Sequence, residues 1–341
     1  MLEKDGVSID YKEKVVQRLN RLGISPNENL GQHFLIDGSV INLLSNSVQQ
    51  GNTVIEVGAG VGQLTEALAE RTSRVIAVEI DRRYEPVLAE LTTKYPLLSV
   101  IYRDVLTLDF TKLGVSSRNG EGVQIIASLP YHITEPFLKK IISFPMESAT
   151  MVLGKRYADS LRAQNEDSTG FGHLTLLSQT FFDTDILAIV GKESFLPPPR
   201  TDSCVVGFIP RDEREIRSNR RDFLLARLFR FSKSNTTVRS GLKEGLDEFE
   251  IAKQTGVSSK RERHKKSRAE IKSDLKRIIN DYNRSGDSKG FVGDIGRSRD
   301  YAGPSKANLE VLGIPSPILD KPFSVLNNQE LKILSRALRQ S

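Results

Sequence analysis

Thr53-Val54-Ile55-Glu56-Val57, a run dominated by β-branched residues, passes directly into Gly58-Ala59-Gly60-Val61-Gly62 and then into a helix-like stretch, Gln63 to Glu70. Side chains of this kind suit a buried, pleated strand. The glycines reach turn conformations closed to other residues and let a ligand approach the backbone, and the following helix presents unpaired amides at its N-terminus. Strand, glycine turn and helix in that order direct the chain toward an open α/β sheet with a nucleotide-type cradle at a strand's carboxyl end. The dinucleotide-binding form of this turn needs a small residue three positions after its second glycine. Counting from Gly58 and Gly60 that position is Gln63, which argues against NAD.

The pattern continues downstream. A second strand, Arg74 to Val78, ends in Glu79 roughly twenty residues past the turn, where a carboxylate accepts hydrogen bonds from both ribose hydroxyls of a nucleoside. A third, Leu98 to Tyr102, ends near Asp104, whose carboxylate can take a hydrogen bond from an adenine amine; Val105 and Leu106 beside it pack the adenine ring or the core. Taken singly, Glu79 and Asp104 read as solvated loop acids. Recurring at successive strand ends, they read as a site for an adenosine-containing ligand. A fourth strand, Val123 to Ala127, leads into Ser128-Leu129-Pro130-Tyr131. A polar side chain, backbone carbonyls fixed by a proline and an aromatic ring suit gripping the amino group of a planar base while stacking on its face.

Four segments in this order, Asn29-Leu30-Gly31-Gln32-His33-Phe34-Leu35-Ile36-Asp37, the Glu56 to Gly62 turn, Ser128 to Tyr131, and Phe195-Leu196-Pro197-Pro198-Pro199-Arg200-Thr201-Asp202-Ser203, resemble the KsgA-type small-subunit rRNA adenine dimethyltransferases. The likeness runs from Asn29 to about Leu242 and resumes weakly from about Leu309. It implies an α/β fold, a Rossmann-like class I methyltransferase sheet with helices on both faces, followed by a small C-terminal helical domain. It implies S-adenosylmethionine as cofactor. His33 and Leu35 would close over the methionine and sugar end, Gly58 and Gly60 would lie under it, Glu79 would hold the ribose and Asp104 the adenine. Ser128 would stand where cofactor and target base meet. Ser128 and the Leu129 carbonyl would accept hydrogen bonds from the target amine, drawing its nitrogen toward tetrahedral geometry. Pro130 would fix the turn, Tyr131 would stack on the base, and Phe195 would form the opposite face of a sandwich or else belong to the core.

The chain departs from the family at Ser128, where Asn is usual. A hydroxyl also accepts a hydrogen bond, with shorter reach. A second departure is Ser234-Asn235-Thr236, standing where Arg-Arg-Lys is usual before the segment Thr237-Val238-Arg239 and Leu242, which resembles the family's RNA-contacting segment. Two rival functions stay open. One is the large-subunit rRNA adenine methyltransferase of the macrolide-resistance type, against which Leu30-Gly31-Gln32-His33 speaks. The other is a weakly catalytic RNA-binding ribosome-assembly factor, which the serine keeps in play.

The expected organisation is an N-terminal extension over 1–28, a methyltransferase domain over 29–210 and a small helical RNA-contacting domain over 211–341. Arg211 to Arg221 is a charged boundary after Pro210 and Phe223 to Phe231 a basic helix. About 245–305 reads as an insertion: a basic run, Lys260 to Arg268, leads into Ile271, Leu275, Ile278, Ile279 and Tyr282 at helical spacing, then a Gly/Ser-rich stretch. It serves as an auxiliary RNA grip or as a solvated excursion. Asn327-Asn328-Gln329-Glu330 reads as the cap of a last helix.

With 341 residues, 38% of them hydrophobic, the chain suffices for one α/β domain and a smaller one, and a net charge of +6 suits a polyanionic partner. Cys204 is the only cysteine, and His33, His132, His173 and His264 are scattered, so zinc-ligand spacing is lacking. Met1 to Asp5 has no signal-peptide core and no apolar run approaches membrane length. The expectation is a cytoplasmic, monomeric enzyme whose partner is small-subunit rRNA, with neither membrane nor metal.

Overall fold

The computed structural model describes residues 10–27, 31–72, 74–115, 122–231, 236–255, 277 and 309–340. Its strands are β1 (Phe34–Leu35), β2 (Thr53–Val57), β3 (Arg74–Glu79), β4 (Leu98–Tyr102), β5 (Val123–Ser128), β6 (Ser148–Gly154), β7 (Phe182–Val190), β8 (Phe195–Leu196) and β9 (Ser203–Pro210). Seven of them form one sheet in the order β4-β3-β2-β5-β6-β9-β7, while β1 and β8 pair separately. From β4 to β6 the strands are parallel, and β9 runs antiparallel to β6. The four strands expected from sequence are present, and Glu79 and Ser128 are the terminal residues of β3 and β5. Between β2 and β5 the strand order reverses direction. The carboxyl ends of those two strands therefore flank the crevice in which open α/β sheets hold ligands.

The helices are α1 (Tyr11–Leu22), α2 (Gly38–Asn46), α3 (Gln63–Ala69), α4 (Glu85–Lys94), α5 (Thr134–Ile141), α6 (Lys155–Arg162), α7 (His173–Phe181), α8 (Glu213–Ser218), α9 (Arg220–Phe231), α10 (Val238–Thr255), α11 (Ser316–Leu319) and α12 (Asn328–Gln340). The chain divides into two compact units. The first takes in the residues up to Lys155 together with Asp185–Ile209 and Arg277, and the second takes in Arg156–Thr184 and the other residues from Pro210 onward that the structure describes.

Two differences from the expected organisation follow. Residues Arg156–Thr184, assigned from sequence to the methyltransferase domain, group with the helical unit. And α1, within the expected N-terminal extension, is part of the first unit: Tyr11, Val15 and Leu19, spaced four apart, are buried in its core. The charges between them hid that stripe. Asp10 caps α1 by accepting from the Glu13 N–H at 2.9 Å, and Gly23 ends it in the left-handed conformation at φ 63°.

Within the second unit, Asp222, 1% exposed, pairs with Arg211 at 2.6 Å, and Ser335 Oγ donates to Glu166 Oε1 at 2.6 Å. The last helix has the expected reciprocal cap: Asn327 Oδ1 accepts from the Glu330 N–H at 3.0 Å, and Glu330 Oε2 accepts from the Asn327 N–H at 2.9 Å. Helix α10 runs on past Gly245 to Thr255, through the expected start of the insertion. The basic run Lys260 to Arg268 and the Gly/Ser-rich stretch lie outside the described residues, as does the amphipathic stretch after Ile271 apart from Arg277.

Candidate active site

Register brings the cradle and the aromatic motif together. In the parallel β2–β5 pair Val57 stands opposite Ala127, so the next residues, Gly58 and Ser128, lie side by side. Gly58 has φ 85°, and a Cβ there would stand 3.0 Å from the Ser128 carbonyl oxygen, so both backbone conformation and space require glycine. Gly31 does the same from the N-terminal motif: at φ 64°, its Cβ would stand 2.9 Å from Pro130 Cβ. Both loops thus close directly on the Ser128–Tyr131 segment.

A cavity of about 260 Å³ opens at this junction, lined by Gly31, His33, Ser128, Leu129, Pro130, Tyr131, His132, Val152 and Phe195. Phe195 is 4% exposed and serves both the cavity wall and the core. It is placed by the short antiparallel pairing of β1 with β8, in which Leu35 faces Phe195. His33 joins the same wall: its Nδ1 lies 2.8 Å from the Pro197 carbonyl oxygen, and since a carbonyl only accepts, the ring donates there. Ser194 Oγ donates to Asp37 Oδ2 at 2.8 Å, so two segments far apart in sequence form one wall. Burial pushes the Tyr131 phenol above its ordinary pKa, keeping the hydroxyl protonated. Ser128 Oγ has no hydrogen-bond partner among the described residues.

On the cradle side the groups are engaged. Glu79, 6% exposed, accepts from the N–H groups of Gly60 at 2.7 Å, Ile80 at 2.9 Å and Asp81 at 2.8 Å. Burial nonetheless raises its pKa above the ordinary carboxylate value, the amides lowering it only in part. The β4 end is tied in by the Arg103 N–H, which donates to the Glu79 carbonyl at 2.8 Å. Asp104 Oδ1 accepts from the Leu106 N–H at 2.8 Å, while its Oδ2 has no hydrogen bond among the described residues. Glu56, at 0% exposure with neither carboxylate oxygen partnered, is pushed up to about 8 by burial, so it is neutral in the folded protein. The Thr65 hydroxyl beside it falls short of hydrogen-bond geometry.

These residues suit an adenosyl cofactor carrying an amino-acid tail. Gly58, Gly60 and Gly62 all have positive φ, removing side chains from the cradle. Glu79 and Asp104 keep unfilled lone pairs at neighbouring strand ends. Leu35 differs from the other expected contacts. It is 2% exposed and buried in the core, and what it offers is its carbonyl, which accepts from Gln63 Nε2 at 3.2 Å.

Two contributors left no readable mark in the sequence. Arg18, on α1, donates to the Val61 carbonyl of the glycine turn at 2.8 Å and pairs with Glu66 at 2.9 Å. Lys14 and Lys94 also contact Glu66, and together these cations bring its carboxyl down to about 2 against the opposing effect of burial. Ile80, directly after Glu79, is 57% exposed, an apolar side chain standing in solvent at the cradle's rim. The expected RNA-contacting segment is closed in part: Val238 and Leu242 are buried, and Arg239 pairs with Asp320 at 2.7 Å. Ser234 and Asn235 lie outside the described residues.

Residues 24–280 match the family model described as ribosomal RNA adenine dimethylase. The chain belongs to that family. Among its relatives, the ribosomal RNA small subunit methyltransferase A of Clostridioides difficile (strain 630) is 32% identical over 279 residues, covering 79% of this chain and 94% of the relative. The protein of the same description from Alkaliphilus oremlandii (strain OhILAs) is 34% identical over 242 residues, covering 70% and 84%. The crystal structure of a dimethyladenosine transferase from Plasmodium falciparum is 22% identical with a TM-score of 0.49, covering 74% of this chain and 98% of that one. Of the four motif segments, Gly31 and His33, Ser128 to Tyr131, and Phe195 line the cavity, the glycine turn adjoins it through Gly58, and Asn29 and Leu30 lie outside the described residues. Among the described residues no His, Cys, Asp or Glu cluster could hold a metal, and no helix is long and apolar enough to cross a membrane.

Proposed function

We propose that the protein dimethylates exocyclic amino groups of adenines in small-subunit rRNA during ribosome biogenesis, with S-adenosylmethionine as methyl donor. The observation that carries the reading is Ser128 Oγ, unpartnered at the junction of cradle and aromatic-lined cavity, beside Gly58 and next to Leu129-Pro130-Tyr131. Family membership and the relatives' descriptions as small-subunit methyltransferases support it, and favour it over a large-subunit target. A cytoplasmic, monomeric enzyme fits this substrate.

The cofactor, when bound, supplies an activated methyl group. The chain's own part is to present the base. The exocyclic nitrogen of adenine donates its lone pair into the ring and is a poor nucleophile. Ser128 Oγ and the Leu129 carbonyl accept its hydrogens, favouring a tetrahedral nitrogen whose lone pair points outward. Tyr131 and Phe195 hold the ring plane, and Glu79, Asp104, Gly58 and Gly60, with His33 and the Leu35 segment above, set the donor's position. Aligning two reacting groups in this way contributes about 7–11 kcal/mol. No strong base is needed, because the amine becomes acidic once alkylated.

The test is to incubate the protein with undermethylated small subunits and labelled cofactor and to map the modified bases. Two methyl groups on adenine amino nitrogens of the small-subunit rRNA are expected. Label on large-subunit rRNA, or none at all, would overturn the assignment.

A further inference from the structure

Tyr131 is fixed at three points, and two of them lie outside the motif to which it belongs. Its turn is set by Pro130, whose carbonyl accepts from the Ile133 N–H at 3.1 Å. Its ring lies against Gly154, the last residue of β6: a Cβ on that glycine would stand 3.2 to 3.3 Å from three ring carbons, Cγ, Cδ1 and Cδ2. Its hydroxyl shares a hydrogen bond of 2.6 Å with Ser203 Oγ. Ser203 is the first residue of β9, 0% exposed, and stands opposite Gly154 in the β6–β9 ladder. The ring therefore spans one cross-strand pair, resting on the glycine and tethered to the serine. Tyr131 lines the cavity, and Gly154 is not among its lining residues.

We propose that Ser203 is a positioning residue for methyl transfer, holding the Tyr131 ring over Gly154 in the plane that the target adenine stacks on. The proposal rests on the adenine-methylating reading of the same cavity. A phenol ring on a short turn rotates about χ1 and χ2 unless its far end is held. A buried hydroxyl at the neighbouring strand's end, fixed by sheet hydrogen bonds, supplies that hold. Gly154 is not among the glycines with positive φ, so its requirement is space: any side chain there would push the ring into the cavity.

The test is a double-mutant cycle in the full chain, Ser203→Ala, Tyr131→Phe and both together. It is read as single-turnover methyl transfer to undermethylated small subunits at saturating cofactor, beside cofactor affinity by calorimetry. Each single variant should slow transfer by about five- to tenfold, as expected for one lost orienting hydrogen bond, with cofactor affinity unchanged. The double variant should be no slower than either single one, because both delete the same bond. Effects that multiply, a Tyr131→Phe variant at the wild-type rate, or a Ser203→Ala variant whose cofactor affinity falls in step with its rate would each overturn the proposal. Should Ser203→Ala fail to fold, the Tyr131→Phe rate decides alone. Absence of transfer by the wild type would instead overturn the activity on which the proposal rests.

Discussion

The two halves of the site are held in opposite ways. In the cradle half Glu79 takes three backbone amides and Arg18 holds the Val61 carbonyl, while Asp104 engages only one of its two carboxylate oxygens among the described residues. In the base half the scaffold is equally fixed, Tyr131 by Ser203 and His33 by Pro197, yet the central acceptor, Ser128 Oγ, is left without a partner. A binding surface gains from being rigid before its ligand arrives, since less ordering remains to be done on binding. A group that acts on developing charge must keep its lone pair for the transition state. The difference predicts that changes in the cradle alter cofactor affinity, whereas changes at Ser128 alter turnover.

The largest effect is expected where the halves touch. Gly58→Ala places a Cβ 3.0 Å from the Ser128 carbonyl at φ 85°, so it disturbs both. Cofactor affinity and methyl transfer should each fall about a hundredfold or more, through left-handed strain of ~1–2 kcal/mol and displacement of the neighbouring strand end. Calorimetry and single-turnover assays check this, and an effect on only one of the two would show the halves to be less coupled than their contact implies.

Ser128→Ala comes next, with transfer slowed about ten- to a thousandfold, corresponding to roughly 1.4–4 kcal/mol, and little change in cofactor affinity. Glu79→Ala should weaken cofactor binding about ten- to a hundredfold, the size of a hydrogen bond to a charged group. It should also lower the melting temperature, because the Gly60, Ile80 and Asp81 amides lose their common acceptor. Unchanged affinity by calorimetry would remove Glu79 from the site.

These two residues also show how much was legible in the sequence. Strand ends mark themselves, because a β-branched run followed by Glu79 or Ser128 fixes which residue emerges at the sheet's edge. Ser128 and Tyr131 could therefore be placed at or just past a strand end, while only the family resemblance set Phe195 opposite them or in the core. Arg18 could not, since its role depends on α1 packing against α3, and the charged residues around Val15 and Leu19 obscure that face. Nor could the grouping of Arg156–Thr184 with the helical unit, which follows from long-range packing of α7 with α9 and has no local marker. Ser203 was visible only as the end of a proline-rich loop, because the cross-strand pairing with Gly154 that gives it a partner is a property of sheet register.

The last effect concerns stability within the cradle and leaves the comparison of rates and affinities aside. Glu56 is neutral in the fold, its carboxyl raised from an ordinary value of 4.5 to about 8 by burial, and it ionises on unfolding. Between those pH values the unfolded chain binds fewer protons than the folded one. The contribution is fully present below about 4.5 and is lost as pH rises through about 8, with a slope of at most ~1.4 kcal/mol per pH unit. Glu56→Gln removes this slope, so urea melts between pH 5 and 8 should give a flatter profile than the wild type. A variant with the wild-type slope would show that Glu56 is already charged in the fold.

The claim that Ser128 Oγ acts on the target amine is tested most directly by single-turnover methyl transfer to undermethylated small subunits. The wild type, Ser128→Ala and Ser128→Asn are compared, with subunit affinity measured in parallel. The account predicts a rate for the alanine variant about ten- to a thousandfold below wild type at nearly equal subunit affinity, and an asparagine variant at or above the wild-type rate, since the amide restores an acceptor of longer reach. Equal rates for wild type and the alanine variant would contradict it, and transfer by the asparagine variant alone would leave the natural protein an RNA-binding assembly factor.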